Sequence, residues 1–516
     1  MKHLFIRKSI DRLHAEMESD NRLRRILGPV RLTSLGIGCI IGAGIFVVTG
    51  RAAHDQAGPA IMLSFAVAGV ACVFAALCYA EFAALTPVAG SAYTYAYATL
   101  GELAAWIIGW DLVLEYTIAS SAVAHGWSHY LQEFLKAVWR QLPGGADLPA
   151  GYNPLPFILS KAPFDFTPHF VTTGSVVDLP AVLVTVLLTV VLVLGIRESA
   201  GFNAVMVAVK LAVVVFVIAV GVFYVNPANW HPFAPYGYTG ISLFGKTIHG
   251  MKNGAGDPLG VLAGAAIIFF AYIGFDSVST HAEEAKNPRR DVPIGILTSL
   301  GICTVLYLAV AAVLTGMVPY NQIDIDAPIA AAFRQAGLPW AHFIISTGAV
   351  VGITSVLLVL MLSQPRIMLA MARDGLVPIK VFGAVHPRFR TPWISQIIMG
   401  CLVAVMSGVL PLRVLTELVN IGTLLAFVVV CAAVLILRVT HPHAHRPFKA
   451  PFYPWVPVLG MLTSLLLMCS LPAVNWMRLF LWLLAGLFIY IFYGRAHSVL
   501  RNELKQPPFP GEENAE

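Results

Sequence analysis

Apolar residues run in long unbroken stretches along this chain, and polar residues collect in the gaps between them. The stretches fall at roughly 33–51, 59–84, 101–131, 179–196, 202–224, 259–281, 292–318, 340–371, 393–411, 413–438, 454–472 and 475–494, twelve in all. A helix crosses the hydrocarbon of a bilayer in about 20 apolar residues. A helix apolar on every side must be surrounded by protein or lipid, and twelve of them exceed what a soluble core of this size can enclose. Strict alternation of apolar and polar residues is absent, which excludes a membrane barrel. Lipid offers no partner to an open backbone, so the spans are helices. The pattern predicts an all-α integral membrane protein of twelve spans.

Composition agrees. Of 516 residues, 58% are hydrophobic and 12% charged, where a soluble domain carries about 25% charge. Disorder and a disulfide scaffold are excluded by the apolar content and by the length and cysteine use. The seven cysteines (39, 72, 78, 303, 401, 431 and 469) lie in apolar runs without metal-ligand spacing and read as small buried hydrophobes.

The net charge of +6 needs no nucleic-acid partner. With the N-terminus inside, 22 of the 33 Lys and Arg fall on cytoplasmic segments and nine on the opposite side, leaving Lys210 and Arg366 within spans. That asymmetry predicts two cytoplasmic termini. The longest external loops are then 132–178 and 225–258. Residues 1–31 are basic and polar, without the apolar core of a cleaved signal. They read as an amphipathic segment on the cytoplasmic face, with Ile10, Leu13, Met17, Leu23, Ile26 and Leu27 on its apolar side, or as a frayed basic tail. The tail at 495–516 reads as cytoplasmic, and its end, Q-P-P-F-P-G-E-E-N-A-E, as disordered. H-P-H-A-H at 441–445 could bind metal but reads as a solvated loop.

Two spans are poor continuous helices. The first holds G-I-G-C-I-I-G-A-G-I-F, with glycines at 36, 38, 42 and 44. The sixth holds F-F-A-Y-I-G-F-D-S-V, where Gly274 precedes Asp276 at membrane depth. Small residues at this spacing also let helices touch. Unwinding is the functional alternative: it frees backbone groups that only a polar cavity or a ligand can satisfy. A half-helix N-terminus offers amides to an anion, and the carbonyls of a break accept from an ammonium. Two breaks therefore suit the two poles of a zwitterion. They lie five spans apart, so their halves enter the membrane from opposite sides. This predicts an inverted 5+5 repeat, 32–224 and 259–438 joined by the 225–258 loop, with two further spans at 454–494 and a midplane site.

Five segments resemble a known family: L-G-I-G-C-I-I-G-A-G-I-F-V-V-T-G; P-V-A-G-S-A-Y-T-Y-A-Y-A-T-L-G-E-L; G-W-D-L-V-L-E-Y; the run from F-F-A-Y-I-G-F-D-S-V-S-T through A-E-E-A-K-N-P to D-V-P-I-G-I; and M-L-A-M-A-R-D-G-L-V-P. They resemble the amino acid–polyamine–organocation superfamily, and within it the bacterial branch of the cationic amino acid transporter family. The likeness runs from about residue 10 to 495. It implies a twelve-helix importer of L-amino acids in the bacterial inner membrane, driven by protons without another cofactor, alone or with a small single-span subunit. The substrate carboxylate would meet the backbone at Gly42, Ala43 and Gly44, and its amino group the carbonyls of Ile40, Phe270, Ala271 and Ile273. Many relatives carry a hydroxyl residue where this chain has Ala43, so weaker anion contacts are expected.

An ionisable group at depth costs at least about 2.5 kcal/mol and needs a reason. Lys210, on the fifth span, either snorkels or faces the carbonyls freed by the first break. The resemblance favours the second, which makes Lys210 a proton carrier. Asp111 and Glu115 share one face of the third span, and the resemblance brings Glu115 near Asp276, where two carboxylates can share a proton. His125, further along that span, reads as a satisfied packing residue. Glu283, Glu284, Lys286 and Arg290 suggest salt bridges of an inner gate, and Tyr272 and Phe275 an aromatic lid. By the same resemblance Ile353 looks like a pocket position, where a branched side chain would obstruct a long cationic substrate. Small or medium neutral L-amino acids are therefore expected, against the alternative of arginine and lysine. No metalloprotease, nucleophile-elbow or phosphate-loop motif competes, so an enzyme is not expected. An exchanger is the nearest rival to a symporter. A channel or a non-transporting amino acid sensor is less well supported.

Overall fold

The computed structural model describes residues 7–8, 27–86, 91–141, 153–166, 170–195, 200–243, 246–254, 256–389 and 391–503. Most of the amphipathic N-terminal segment and the end of the tail lie outside the described residues. Helices α1 (Pro29–Ile40), α2 (Ile61–Leu85), α3 (Glu102–Gln141), α4 (Leu179–Val193), α5 (Ala200–Gly221) and α6 (Val261–Ile268) build the first part of the chain. The rest is built by α7 (Pro288–Met317), α8 (Pro339–Arg373), α9 (Trp393–Val409), α10 (Leu412–Thr440), α11 (Trp455–Cys469) and α12 (Ala473–Ile489). Each coincides with an apolar stretch, but the first begins at Pro29, ahead of the expected residue 32. Proline suits that position because a helix start leaves its amides unbonded anyway.

Eight helical stretches among the described residues are long and apolar enough to cross a membrane, and one of them, Pro29–Leu85, carries both α1 and α2. The apolar helices α4, α9 and α11 are shorter. Large apolar side chains project outward from the periphery, among them Leu187 on α4, Val215 on α5, Val405 on α9 and Phe480 on α12. An apolar exterior of this kind is matched to lipid rather than water.

At the centre α3 packs along α8, and α7 packs on α1 and α2. Pairings in the two halves correspond: α1 lies on α7 as α2 lies on α6, and α3 on α10 as α8 on α5. Short two-stranded hairpins, Phe164–Phe166 with Phe170–Thr172 and Ile241–Leu243 with Lys246–His249, lie in the long connections and were not foreseen from the apolar pattern. Two unforeseen helices, Ser91–Thr99 and Pro328–Gln335, are fully or largely buried. Six cysteines are buried or partly buried as expected, but Cys401 is exposed on α9.

Candidate functional site

Both glycine-rich spans are interrupted. In the first, the Ile41 amide still reaches back to Ile37, and the next bond of the ladder outside a regular helix runs from Phe46 to Gly42 at 3.2 Å. Ile41 itself is extended, with φ −73° and ψ 101°. The amides of Gly42, Ala43 and Gly44 fall in this gap, before a π-helical turn over Gly44–Val48 carries the chain on. In the sixth span α6 tightens into a 3-10 turn at Phe269–Tyr272, and Ile273 is extended. Gly274 then turns the chain at φ 112°, a region a side chain would strain. Helix resumes at Ser277–Thr280.

The two breaks touch. A Cβ on Gly44 would overlap Ala271, and one on Gly274 would sit 2.9 Å from the Cβ of Cys39. Glycine is therefore required at Gly44 by the neighbouring backbone. A Cβ on Gly42 would meet Val356 of α8 at 2.8 Å, and the Ala43 methyl faces Gly126 of α3. Ile353 is fully buried one turn before Val356.

Three side chains answer the freed carbonyls. Lys210 Nζ donates to Gly38 O at 2.7 Å and to Ile41 O at 3.2 Å. It is fully buried, and no carboxylate pairs with it among the described residues. Snorkelling is thus excluded in this conformation. The Tyr307 hydroxyl lies 2.8 Å from Ile40 O and 2.9 Å from Ala271 O, bridging one carbonyl of each break. These are two of the oxygens expected to receive an amino group. Asn420 on α10 donates to Ala266 O at 2.8 Å and to Ile267 O at 3.0 Å, at the end of α6. Asn420 does for the sixth span what Lys210 does for the first. Neither Tyr307 nor Asn420 was singled out in the sequence. A tyrosine and an asparagine inside otherwise apolar spans were the available signal, since a buried hydroxyl or amide needs a partner.

The carboxylates gather beside the second break. Asp276 accepts from the Tyr116 hydroxyl at 2.9 Å. Glu115, the residue before Tyr116 on α3, is buried. Oε1 of Glu115 and both oxygens of Asp111 are buried without a hydrogen-bond partner. Asp111 lies against Gly422 of α10, where a Cβ would come within 2.8 Å of its Oδ1.

Tyr272 and Phe275 are fully buried in different aromatic groups. The Tyr272 hydroxyl donates to Phe65 O at 2.9 Å and its ring packs with Phe65 and Tyr307. Phe275 packs with Tyr79 and Phe427. At the inner end Glu284 pairs with Arg366 at 3.4 Å, while Arg290 is exposed without an ion-pair partner among the described residues. The acidic partner on this segment is thus held by a residue of α8, which the sequence left unpaired within its span. The side chain of Glu283 lies outside the described residues. His125 is also more than a packing residue: its Nδ1 is 2.9 Å from Asp178 Oδ2. At the opposite end, a small cleft is lined by Arg51, Asp55, Gln56, Arg413 and Glu417 among others.

The chain is similar to known proteins along nearly its whole length. The family model described as amino acid permease matches residues 27–496. The chain is 45% identical to the branched-chain amino acid permease BcaP of Bacillus subtilis, over 96% of this chain and 99% of that one. It is 44% identical to the methylthioribose transporter of the same organism, over 97% and 100%. It is 33% identical to the vacuolar cationic amino acid transporter 4 of Arabidopsis thaliana, over 98% of both chains. These relatives are transporters, not enzymes, and two interrupted helices meeting inside a multi-pass membrane bundle suit that work. The chain belongs to the amino acid permease family of the amino acid–polyamine–organocation superfamily.

Proposed function

We propose that this permease imports neutral L-amino acids of about branched-chain size across the bacterial cytoplasmic membrane, by proton symport and alternating access. The observation that carries the reading is the convergence of Ile40 O and Ala271 O on one hydroxyl, that of Tyr307. An ammonium in that place donates to the same two oxygens and adds a charge to each bond. The carboxylate of the substrate meets the amides of Gly42, Ala43 and Gly44 at the other lip of the break. Since the Ala43 methyl faces α3, the anion is held by main chain alone. Apolar Ile353 and Val356 border the site and offer nothing to a guanidinium or a long-chain ammonium.

In this reading the chain crosses the membrane twelve times with both termini inside, counting Pro29–Leu85 as two spans and adding α4, α9 and α11. The corresponding pairings of the two halves support an inverted repeat, as do Lys210 and Asn420, each capping the broken helix of its own half. Lys210 carries the coupling proton: an ammonium bound by two carbonyls and no counter-charge can be released from them once it is neutral. Glu115 and Asp276 share a second proton near the break. Glu283, Glu284, Arg290 and Arg366 belong to the inner gate, and Tyr272 and Phe275 move with the sixth span as the site opens.

Purified protein challenged with leucine, alanine, arginine, glutamate and methylthioribose tests the substrate class by thermal stabilisation. Leucine or alanine is expected to raise the melting temperature, and arginine to leave it unchanged. The methylthioribose arm is required by the 44% identical relative that carries that name. Stabilisation by methylthioribose alone would replace the amino acid reading. Proteoliposomes then separate symport from exchange: a symporter accumulates substrate into empty vesicles under an inward proton force, and an exchanger needs substrate inside.

A further inference from the structure

The outer half of α3 carries a group of side chains that the transport reading does not use. His125 and His129 lie one turn apart on one face of the helix, with ring centroids 4.7 Å apart. Asp178 faces them from the start of α4. All three are buried, with side-chain exposures of 6%, 8% and 0%. Each offers one ligand atom, and these atoms lie within 4.8 Å of one another.

Their geometry is not that of ordinary hydrogen bonds. Asp178 is anchored through its other oxygen, Oδ1, which accepts from Ser128 Oγ at 2.5 Å and from the Ala181 amide at 3.2 Å. That leaves Oδ2 directed at the histidines. His125 Nδ1 lies 2.9 Å from Oδ2, yet neither atom makes a well-directed hydrogen bond, and His129 Nδ1 makes none either. Three buried polar atoms that converge without hydrogen bonds are costly, at about 1–3 kcal/mol each. Two ligands of one tetrahedral ion stand off each other's axis in this way. With bonds of about 2.0–2.1 Å their atoms lie roughly 3.3 Å apart.

We propose that His125, His129 and Asp178 form a binding site for a divalent transition-metal ion of the zinc type. Neutral imidazoles bind through Nδ1 with their protons on Nε2, and Asp178 binds through Oδ2. Asp326, whose Oδ1 is 3.5 Å from His129 Nδ1, stands at the mouth and is half-exposed. It is the fourth ligand if it leaves Lys161, its present partner at 3.1 Å. Two imidazoles and carboxylate oxygens are a donor set that zinc accepts and that calcium and magnesium, which favour all-oxygen shells, do not. An ion there ties α3 to α4, and through Asp326 to the segment leading into Pro328–Gln335.

Equilibrium dialysis of the purified full-length protein against zinc, with metal analysis, tests the site. The wild type is expected to bind one zinc, with at least a tenfold loss of affinity in H125Q and in H129Q. H129C replaces one good ligand by another and is expected to keep the ion, which separates lost ligation from lost folding. A variant with His441, His443 and His445 changed to Gln is also expected to keep it. Cobalt in place of zinc should give the strong visible bands of a tetrahedral centre in the wild type and not in H129Q. The proposal is overturned if the wild type binds no zinc, if H125Q and H129Q bind it undiminished, or if the ion disappears with the three cytoplasmic histidines.

Discussion

Lys210, Tyr307 and Asn420 each place a donor on main-chain oxygens that an unbroken helix would have used internally. Their chemistry differs in a way that matters for transport. Asn420 cannot change its charge, so it fixes its break. Lys210 can lose a proton, and with it the charge that holds Gly38 O and Ile41 O. K210A is therefore expected to abolish pH-gradient-driven accumulation in proteoliposomes while leaving the protein folded. Uptake by K210A that still follows the proton gradient in full would remove Lys210 from the coupling step. Tyr307 gives a second expectation. Y307F removes the one donor that Ile40 O and Ala271 O share, at a cost of about 1–3 kcal/mol. The substrate-free protein should melt earlier than the wild type, and a bound amino acid, whose ammonium supplies the missing donor, should recover more of that loss than it adds to the wild type. A shift of equal size in both proteins would place the amino group elsewhere.

At the level of elements, the breaks depend on close approach rather than on flexibility. Gly44 meets the backbone of Ala271 with no room for a methyl. G44A must push the outer part of the first span away from α6, and overpacking of this kind costs roughly 1–3 kcal/mol. Substrate-induced stabilisation is expected to vanish in G44A while the far-ultraviolet helix signal is retained. The helix Pro328–Gln335 is a second element set by close approach. It packs on the outer part of the first span, where a Cβ on Gly50 would overlap Pro328, and α3 holds it through Glu133 and Arg334 at 2.6 Å. Asp326, just ahead of it, has its charge opposed by burial, but His129 when protonated and the Lys161 ammonium at 3.1 Å hold its carboxyl well below the usual carboxylate range. The sign follows: this ion pair contributes fully above the ordinary carboxylate pKa of about 3.9 and is lost only as pH falls below it. D326N should therefore leave the shape of the transport profile between about pH 5 and 8 unchanged. Any loss of thermal stability should be small, under about 1 kcal/mol, because the pair is partly exposed to solvent. A D326N profile that changes shape in that window would assign Asp326 to proton coupling.

For the whole molecule, ionic clasps close the inner ends of the bundle. Glu81 meets Arg438 at 2.5 Å, Glu102 meets Arg501 at 2.8 Å, and Asp374 meets Lys8 at 3.0 Å. The asymmetry of Lys and Arg predicts that these ends face the cytoplasm. Single cysteines at Lys161 and Lys246 are expected to react with an impermeant thiol reagent applied to intact cells, and those at Lys286 and Lys380 only after the membrane is opened. The opposite pattern would invert the topology. How far the sequence alone reaches is clear from these same elements. The long helices were legible because lipid demands some 20 apolar residues of every span, whatever surrounds it. The interruptions were legible too, because four glycines in eleven residues disfavour a helix. What no local pattern could supply is which side chain reaches which freed oxygen. Tyr307 lies on α7 and Asn420 on α10, each far along the chain from the carbonyls it serves. Arg366 rather than Arg290 pairs with Glu284 because α8 passes beside the inner end of the sixth span. His125 looked like a packing residue until α4 brought Asp178 to it. Hydrophobic length is a property of consecutive residues, and so the sequence by itself determined the membrane class, the long apolar helices and their breaks. Satisfaction of a buried polar atom is a property of neighbours in space, and only the tertiary structure decided those.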